Sequence, residues 1–317
     1  MRNRWFQVGL AFIVMTGLLA ACQTVGLAVI NASAPAVRRI ADVPFAPGPR
    51  GRMDFYLPRN LPDSSPKPLV VFWYGGSWQT GKRDDYRFVG AALASRGAVV
   101  AIPDYRLYPE VRFPEFLRDA ALAVAQAQKQ APRWGADPAR IVLGGHSAGA
   151  YIAAMLALEP RYLREAGVDP DTIAGFFALS GPHVVMPDTT ALHDIFDAVS
   201  TPEQYRPVAR VSPGAPPALL IHGGSDDLVG ADQSRKLAAA LCSQRDAVAL
   251  RIEPGRGHID TLIALSRPGG FRVPGLLDQV VRFLGHPAEA VESADHSSNL
   301  SPCAPARASP VGKGQRQ

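Results

Sequence analysis

The pentapeptide Gly145-His146-Ser147-Ala148-Gly149 sets one serine between two glycines. A predicted strand at 140–143 precedes it, and a helical pattern over 147–158 follows. A strand turning abruptly into a helix leaves one residue at the apex with its side chain projecting, and flanking glycines clear the space around it. The N-terminus of the helix adds partial positive charge beside the hydroxyl, which favours an oxyanion nearby. The chemistry this pattern offers is nucleophilic attack by Ser147. The plainer reading, a glycine-rich turn with a solvent serine, fits the strand–helix context less well.

A serine nucleophile needs a base, and the base needs an orienting acid. On a strand–turn–helix elbow of this kind the chain order is serine, acid, histidine. Of seven histidines, His146, His183, His193 and His222 precede the acid candidates, and His286 and His296 lie near the C-terminus. His258 remains, in Gly255-Arg256-Gly257-His258, just after a predicted strand at 248–252. The acid should leave an earlier strand end, and Ser225-Asp226-Asp227-Leu228 offers two adjacent carboxylates, one an orienter and the other a turn residue. A fourth element is Trp73-Tyr74-Gly75-Gly76-Ser77-Trp78, also after an apolar run. Glycines there let main-chain N–H groups converge on a substrate oxygen, together with the N–H of Ala148.

These groups meet only if the elements between them form one sheet. Strands are expected at 53–57, 69–73, 98–102, 140–143, 173–179, 218–221 and 248–252, and helices at 84–95, 114–130, 147–158, 232–241 and 276–284. Such alternation predicts an α/β fold: a mostly parallel central sheet with helices on both faces. Ligands then sit at the carboxyl ends of the strands, where every candidate above falls. A stretch without clear strands, about 181–216, would form a small lid.

The chain has 317 residues, 47% hydrophobic and 19% charged, enough for a large core and inconsistent with a disordered chain or a disulfide scaffold. Its net charge of +5 is scattered, so nucleic acid is not an expected partner. Arg2 and Arg4 precede an apolar stretch that ends at Leu19-Ala20-Ala21-Cys22. The stretch is shorter than the roughly 20 residues of a membrane span and reads as an export signal. Its end resembles the bacterial lipobox, which implies a signal peptide over 1–21, lipidation of Cys22 and attachment to the envelope membrane. Gln23, where an Asp would retain the protein at the inner membrane, favours the outer membrane facing the periplasm. Residues 22–50 read as a tether, 51–285 as the catalytic body and 286–317 as a disordered tail poor in large apolar residues. Cys242 and Cys303 would then share an oxidising compartment, where they could pair. No cysteine or histidine spacing suggests a metal.

With its four elements in this order, the chain resembles the α/β-hydrolase esterases and lipases, in the group similar to hormone-sensitive lipase and the bacterial feruloyl-esterase-like enzymes. The segment Pro103-Asp104-Tyr105-Arg106-Leu107-Tyr108-Pro109-Glu110 with Phe113-Pro114, and Trp134-Gly135-Ala136-Asp137-Pro138, extend the likeness. The resemblance covers about 50–285. It implies Ser147 as nucleophile, His258 as base and, counting from His222 in H-G-x-x-D-x-x-V, Asp226 as orienter. It implies Gly76, Ser77 and Ala148 as oxyanion donors, and Asp104 and Arg106 as structural. Where the family has a histidine before its Gly-Gly, this chain has Tyr74; aromatic residues stand there in related branches, including prenylcysteine methylesterase-like proteins. The expected activity is hydrolysis of short-acyl or small-alcohol carboxylic esters without a cofactor. Amide or peptide cleavage by the same triad, or a non-catalytic envelope binding protein, are the alternatives.

Overall fold

The run from Leu69 to Trp73 contains no polar residue, and a strand of that kind is stable only when both of its faces are covered. In a computed structural model, which describes residues 28–59, 66–184, 189–197, 201–266, 273–292 and 300–303, this run forms β3 and every residue from Leu69 to Trp73 is buried. The strands are β1 (Arg38–Pro44), β2 (Arg52–Leu57), β3 (Lys67–Trp73), β4 (Val99–Pro103), β5 (Ala136–His146), β6 (Ile173–Leu179), β7 (Ala218–Gly223), β8 (Val248–Glu253) and β9 (Leu300–Cys303). They form one sheet in the order β1-β2-β4-β3-β5-β6-β7-β8-β9. The six from β4 to β8 in that order are parallel, and β1, β2 and β9 pair antiparallel at the two sides. The α/β expectation holds.

Helices α1 (Arg87–Ala94), α2 (Glu115–Gln130), α3 (Ala148–Leu158), α4 (Arg161–Glu165), α5 (Thr190–Phe196), α6 (Asp232–Ser243), α7 (Asp260–Ile263), α8 (Leu276–Gly285) and α9 (Pro287–Glu292) cover the sheet. All of α3 is buried, as its uniformly apolar sequence requires. Register does the positioning. Trp73 lies opposite Gly145, His146 opposite Leu179, and Gly223 opposite Glu253. The residues that follow these strands therefore emerge along one edge of the sheet.

Both expected ends of the body need correction. Within the segment read as a tether, 28–32 is helical and β1 pairs with β2. Asn31 Oδ1 accepts from the Phe88 N–H at 2.8 Å, and its amide donates to the Asp84 and Asp85 carbonyls. Buried Asp54 accepts from Arg39 Nε at 3.0 Å, Arg83 Nε at 3.1 Å and the Asp42 N–H at 2.9 Å. A charged outer strand reads as a linker because it is an edge, and edge strands carry charge. At the other end, the part of 286–317 that is described is ordered: α9 buries Pro287 and Val291, and β9 pairs with the outer edge of β8. That edge offers unpaired N–H and C=O groups, which a short segment can satisfy without any apolar pattern. Cys242, in α6, is disulfide-bonded. Backbone pairing sets Cys303 opposite Val248.

The signal segment and Cys22 lie outside the described residues. Among the described residues, no helix is long and apolar enough to cross a membrane.

Candidate active site

Strand β5 ends at His146 and α3 begins at Ala148, so one residue makes the turn. That residue is Ser147, at φ 55° and ψ −121°, a conformation that side chains rarely adopt. Backbone bonds hold it there: its N–H donates to Leu179 O at 2.9 Å, and its carbonyl accepts from the Tyr151 N–H at 3.1 Å. The flanking glycines permit the approach. A Cβ on Gly149 would lie 2.0 Å from Trp73 O, and one on Gly145 would lie 2.2 Å from the Gly149 carbonyl carbon.

The turns after β7 and β8 bring Asp226 to His258. Two backbone bonds tie these turns together, from Gly224 N to Glu253 O at 2.7 Å and from Ser225 N to Arg256 O at 2.9 Å. His258 Nδ1 lies 2.7 Å from Asp226 Oδ2. Of the two adjacent carboxylates left open by the residues alone, Asp226 is buried at this position and Asp227 is exposed. The other oxygen of Asp226 accepts from the N–H groups of Leu228 and Val229 at 3.1 and 2.8 Å. His222 Nε2 stands 3.3 Å from Asp226 Oδ2 and 2.8 Å from Val229 O, while its Nδ1 meets Ser234 Oγ at 2.7 Å. Burial would raise the Asp226 pKa. Hydrogen bonds from His222 and His258, with the His258 charge and the Val229 N–H, outweigh it and hold the carboxyl well below the usual range. In the sequence His222 serves only to place Asp226 in H-G-x-x-D-x-x-V; its contact with this carboxylate has no local signature.

On the other side of Ser147 runs the loop after β3. Gly76, Ser77 and Trp78 all have positive φ, at 126°, 52° and 58°. The Gly76 carbonyl accepts from Gln79 and Thr80 N–H groups, each at 3.0 Å, which closes a tight turn. Ser77, Ser147 and Ala148 line a cavity of about 130 Å³ together with Trp78, Leu192 and Val229, among others. Gly76 is not among the residues that line it. Tyr74, in the place of the family histidine, is fully buried; its ring stacks on Tyr105 at 4.7 Å and its hydroxyl accepts from Arg50 at 3.0 Å. The loop backbone is held instead by Tyr105, whose hydroxyl donates to Tyr74 O at 3.1 Å.

Two other expected structural residues have visible partners. Asp104 accepts from the Arg83 N–H at 2.9 Å and pairs with the Arg83 guanidinium. Arg106 grips Asp119 of α2 through Nε at 2.9 Å and Nη2 at 2.7 Å. Within 181–216, helix α5 sets Phe196 edge-on to Trp78 with ring centres 5.0 Å apart, and Ile195 O accepts from the Phe113 N–H at 2.9 Å. The described part of 181–216 thus rests on the loop that carries Ser77. Among the described residues, no group of three or more histidine, cysteine or carboxylate side chains could hold a metal.

Two histidines beside the site are neutral by burial. His146 and His183 are both pushed down to about 3, first by desolvation and then by a neighbouring histidine charge. Each takes up a proton on unfolding between its unfolded value, 6.5, and about 3. Stability is therefore highest above that window and falls as the pH drops through it, by up to about 1.4 kcal/mol per pH unit for each histidine. Urea unfolding from about pH 7 to about pH 4.5 should show that loss. A flat profile over this range would contradict the buried, neutral state of both.

Comparison with known proteins places this geometry. Residues 53–169 match the family described as BD-FAE, and residues 117–286, more than half of the chain, match the prolyl oligopeptidase family. The chain is 30% identical over 256 residues to an isoprenylcysteine α-carbonyl methylesterase of Arabidopsis thaliana, covering 74% of this chain and 59% of that one. It is 29% identical over 245 residues to Esterase LipC of Mycobacterium tuberculosis, covering 71% and 60%. It spans about 60% of the length of these curated relatives. Among solved structures, an esterase B from Lactobacillus rhamnosis superposes with a TM-score of 0.71 at 18% identity, covering 87% of this chain and 94% of that one. A thermophilic esterase from Thermogutta terrifontis gives 0.64 at 22% identity, covering 79% and 92%. The parallel sheet, the Ser147 elbow and the 117–286 match together make this chain a member of the prolyl oligopeptidase family, within the α/β-hydrolases.

Proposed function

We propose that the protein is a serine hydrolase of carboxylic esters, with Ser147 as nucleophile, His258 as general base and acid, and Asp226 as its orienter. The observation that carries the reading is the 2.7 Å contact between His258 Nδ1 and Asp226 Oδ2, on the sheet edge that also presents the Ser147 turn. Ser147 Oγ attacks the acyl carbon while His258 Nε2 takes the hydroxyl proton. N–H groups of Ala148 and the Gly76–Ser77 turn receive the oxyanion. The alcohol leaves with the proton from His258, and water, deprotonated by the same imidazole, releases the acid and restores Ser147.

The cavity supports a small substrate. At about 130 Å³ it matches the volume of roughly four waters, room for a short acyl chain. The relatives named as methylesterases favour a small leaving alcohol as well. The match to the prolyl oligopeptidase family supports a second reading, amide or peptide cleavage by the same residues. Attachment to the bacterial envelope through a lipid on Cys22 is part of the proposal. It rests on Leu19-Ala20-Ala21-Cys22 and is supported by the Cys242 disulfide, a bond that persists in oxidising compartments.

A p-nitrophenyl ester series from acetate to laurate, assayed on protein lacking residues 1–22, tests both activity and size. The expected kcat/KM is highest for acetate to butyrate and falls at least about tenfold by octanoate. A profile that rises with chain length would remove the short-acyl assignment. Faster turnover of matched p-nitroanilides would move the amide reading ahead.

A further inference from the structure

The residue before the nucleophile, His146, is a buried histidine with both ring nitrogens engaged. Its Nδ1 lies 3.2 Å from the Tyr86 hydroxyl, and its Nε2 lies 3.1 Å from the main-chain oxygen of His258. The Tyr86 hydroxyl also takes the N–H of Gly75 at 3.1 Å. The proton positions follow from the partners. The His258 carbonyl can only accept, so His146 carries its proton on Nε2. Burial keeps the ring neutral, so Nδ1 is an acceptor and the Tyr86 O–H donates to it. Gly75 N–H can only donate, and Tyr86 oxygen accepts from it. One continuous run results, from Gly75 N–H through Tyr86 and His146 to the His258 carbonyl.

We infer that Tyr86 and His146 are positioning residues that lock the oxyanion loop to the loop carrying the catalytic histidine. This rests on the esterase reading of the site. One end of the run fixes the peptide next to the Gly76–Ser77 turn, and the other fixes the backbone of His258. Gly75 itself is pressed against the elbow, where an added Cβ would lie 2.9 Å from Ser147 Cβ and 3.1 Å from His146 Nδ1. Tyr86 is 5% exposed and His146 2%, so water does not compete for these bonds. Tyr86 is anchored in turn, because it closes the helical turn Arg83–Tyr86 whose Arg83 is held by Asp54 and Asp104. Three elements that must agree within a fraction of an ångström for catalysis are thereby joined through two side chains. Two hydroxyls, Tyr105 at the Tyr74 carbonyl and Tyr86 at the Gly75 N–H, thus strap the loop in place of a histidine within it.

The test uses Tyr86→Phe, which keeps the ring and deletes the hydroxyl, and His146→Asn, which retains an acceptor toward Tyr86 but cannot reach His258. Rates on p-nitrophenyl butyrate are taken per active site, titrated with a fluorophosphonate. Each variant is expected to lose about 10- to 100-fold in kcat, with KM changed by less than about threefold. The double variant should fall no further than the worse single, because both break one run. Values of kcat per site within about twofold of the parent for both singles, or losses that multiply in the double, would overturn the inference. A separate readout needs no substrate. The ¹⁵N signals of His146 in the parent protein should report a neutral ring protonated on Nε2, and a proton on Nδ1 would overturn the inference as well. If the parent protein is inert toward esters, the esterase reading fails, and the imidazole signals alone decide the relay.

Discussion

Ser147→Ala is expected to abolish ester hydrolysis, lowering kcat by about 10,000-fold or more. The substitution removes the attacking oxygen and little else. Ser147 already bears a Cβ at positive φ, so alanine meets the same backbone strain. The bonds that shape the turn run through its main chain, from its N–H to Leu179 O and from Tyr151 N–H to its carbonyl, and they survive. The melting temperature should therefore stay within a few degrees of the parent, which separates lost chemistry from lost fold. Fluorophosphonate labelling should vanish with the activity. A variant that keeps more than about 1% of the parent rate at an unchanged melting temperature would move the nucleophile elsewhere.

The parts of this molecule that a sequence reader can see are those whose reason is local. The sequence predicts strand β6 at 173–179, where it is found, because its burial on both faces demands an uninterrupted apolar run. The elbow is visible because its steric requirement, two glycines around one serine, is met within five residues. β1 and β9 are hidden for the opposite reason. An edge strand is selected for what it must not do, which is to attract another edge: the charges of β1 look like a linker, and β9 is only four residues long with a proline among them. Asp226 and Asp227 are chemically identical, so only the register of the turn after β7 distinguishes them; the family motif carried that register, and the structure buries Asp226 and exposes Asp227. Tyr86 and His146 are 60 residues apart and meet through tertiary packing, which no periodicity announces.

Asp226 is ionised, buried and saturated with donors: two backbone N–H groups on one oxygen, His258 and His222 on the other. A carboxylate held this way fixes the tautomer of His258 as well as its direction, because it accepts from Nδ1 and leaves Nε2 with a free lone pair. His222 shares the work without competing for it, since its Nε2–H also has the Val229 carbonyl at 2.8 Å.

That arrangement makes Asp226→Asn the sharpest test of the acid. The Leu228 and Val229 N–H groups cannot reverse, so the asparagine carbonyl must face them and its NH₂ must face His258. His258 Nδ1 then has to accept, which moves the ring proton to Nε2, the nitrogen that should receive the proton of Ser147. The expected result is a fall of about 10,000-fold in kcat with substrate binding little changed. The fold persists, because His222 retains Val229 O and Ser234 as partners. Asp227→Asn is the matched control: its side chain is exposed, and turnover should stay within about twofold of the parent. A loss of less than about tenfold at Asp226, or an equal loss at Asp227, would mean that the carboxylate beside His258 is structural and that the histidine is oriented by something else.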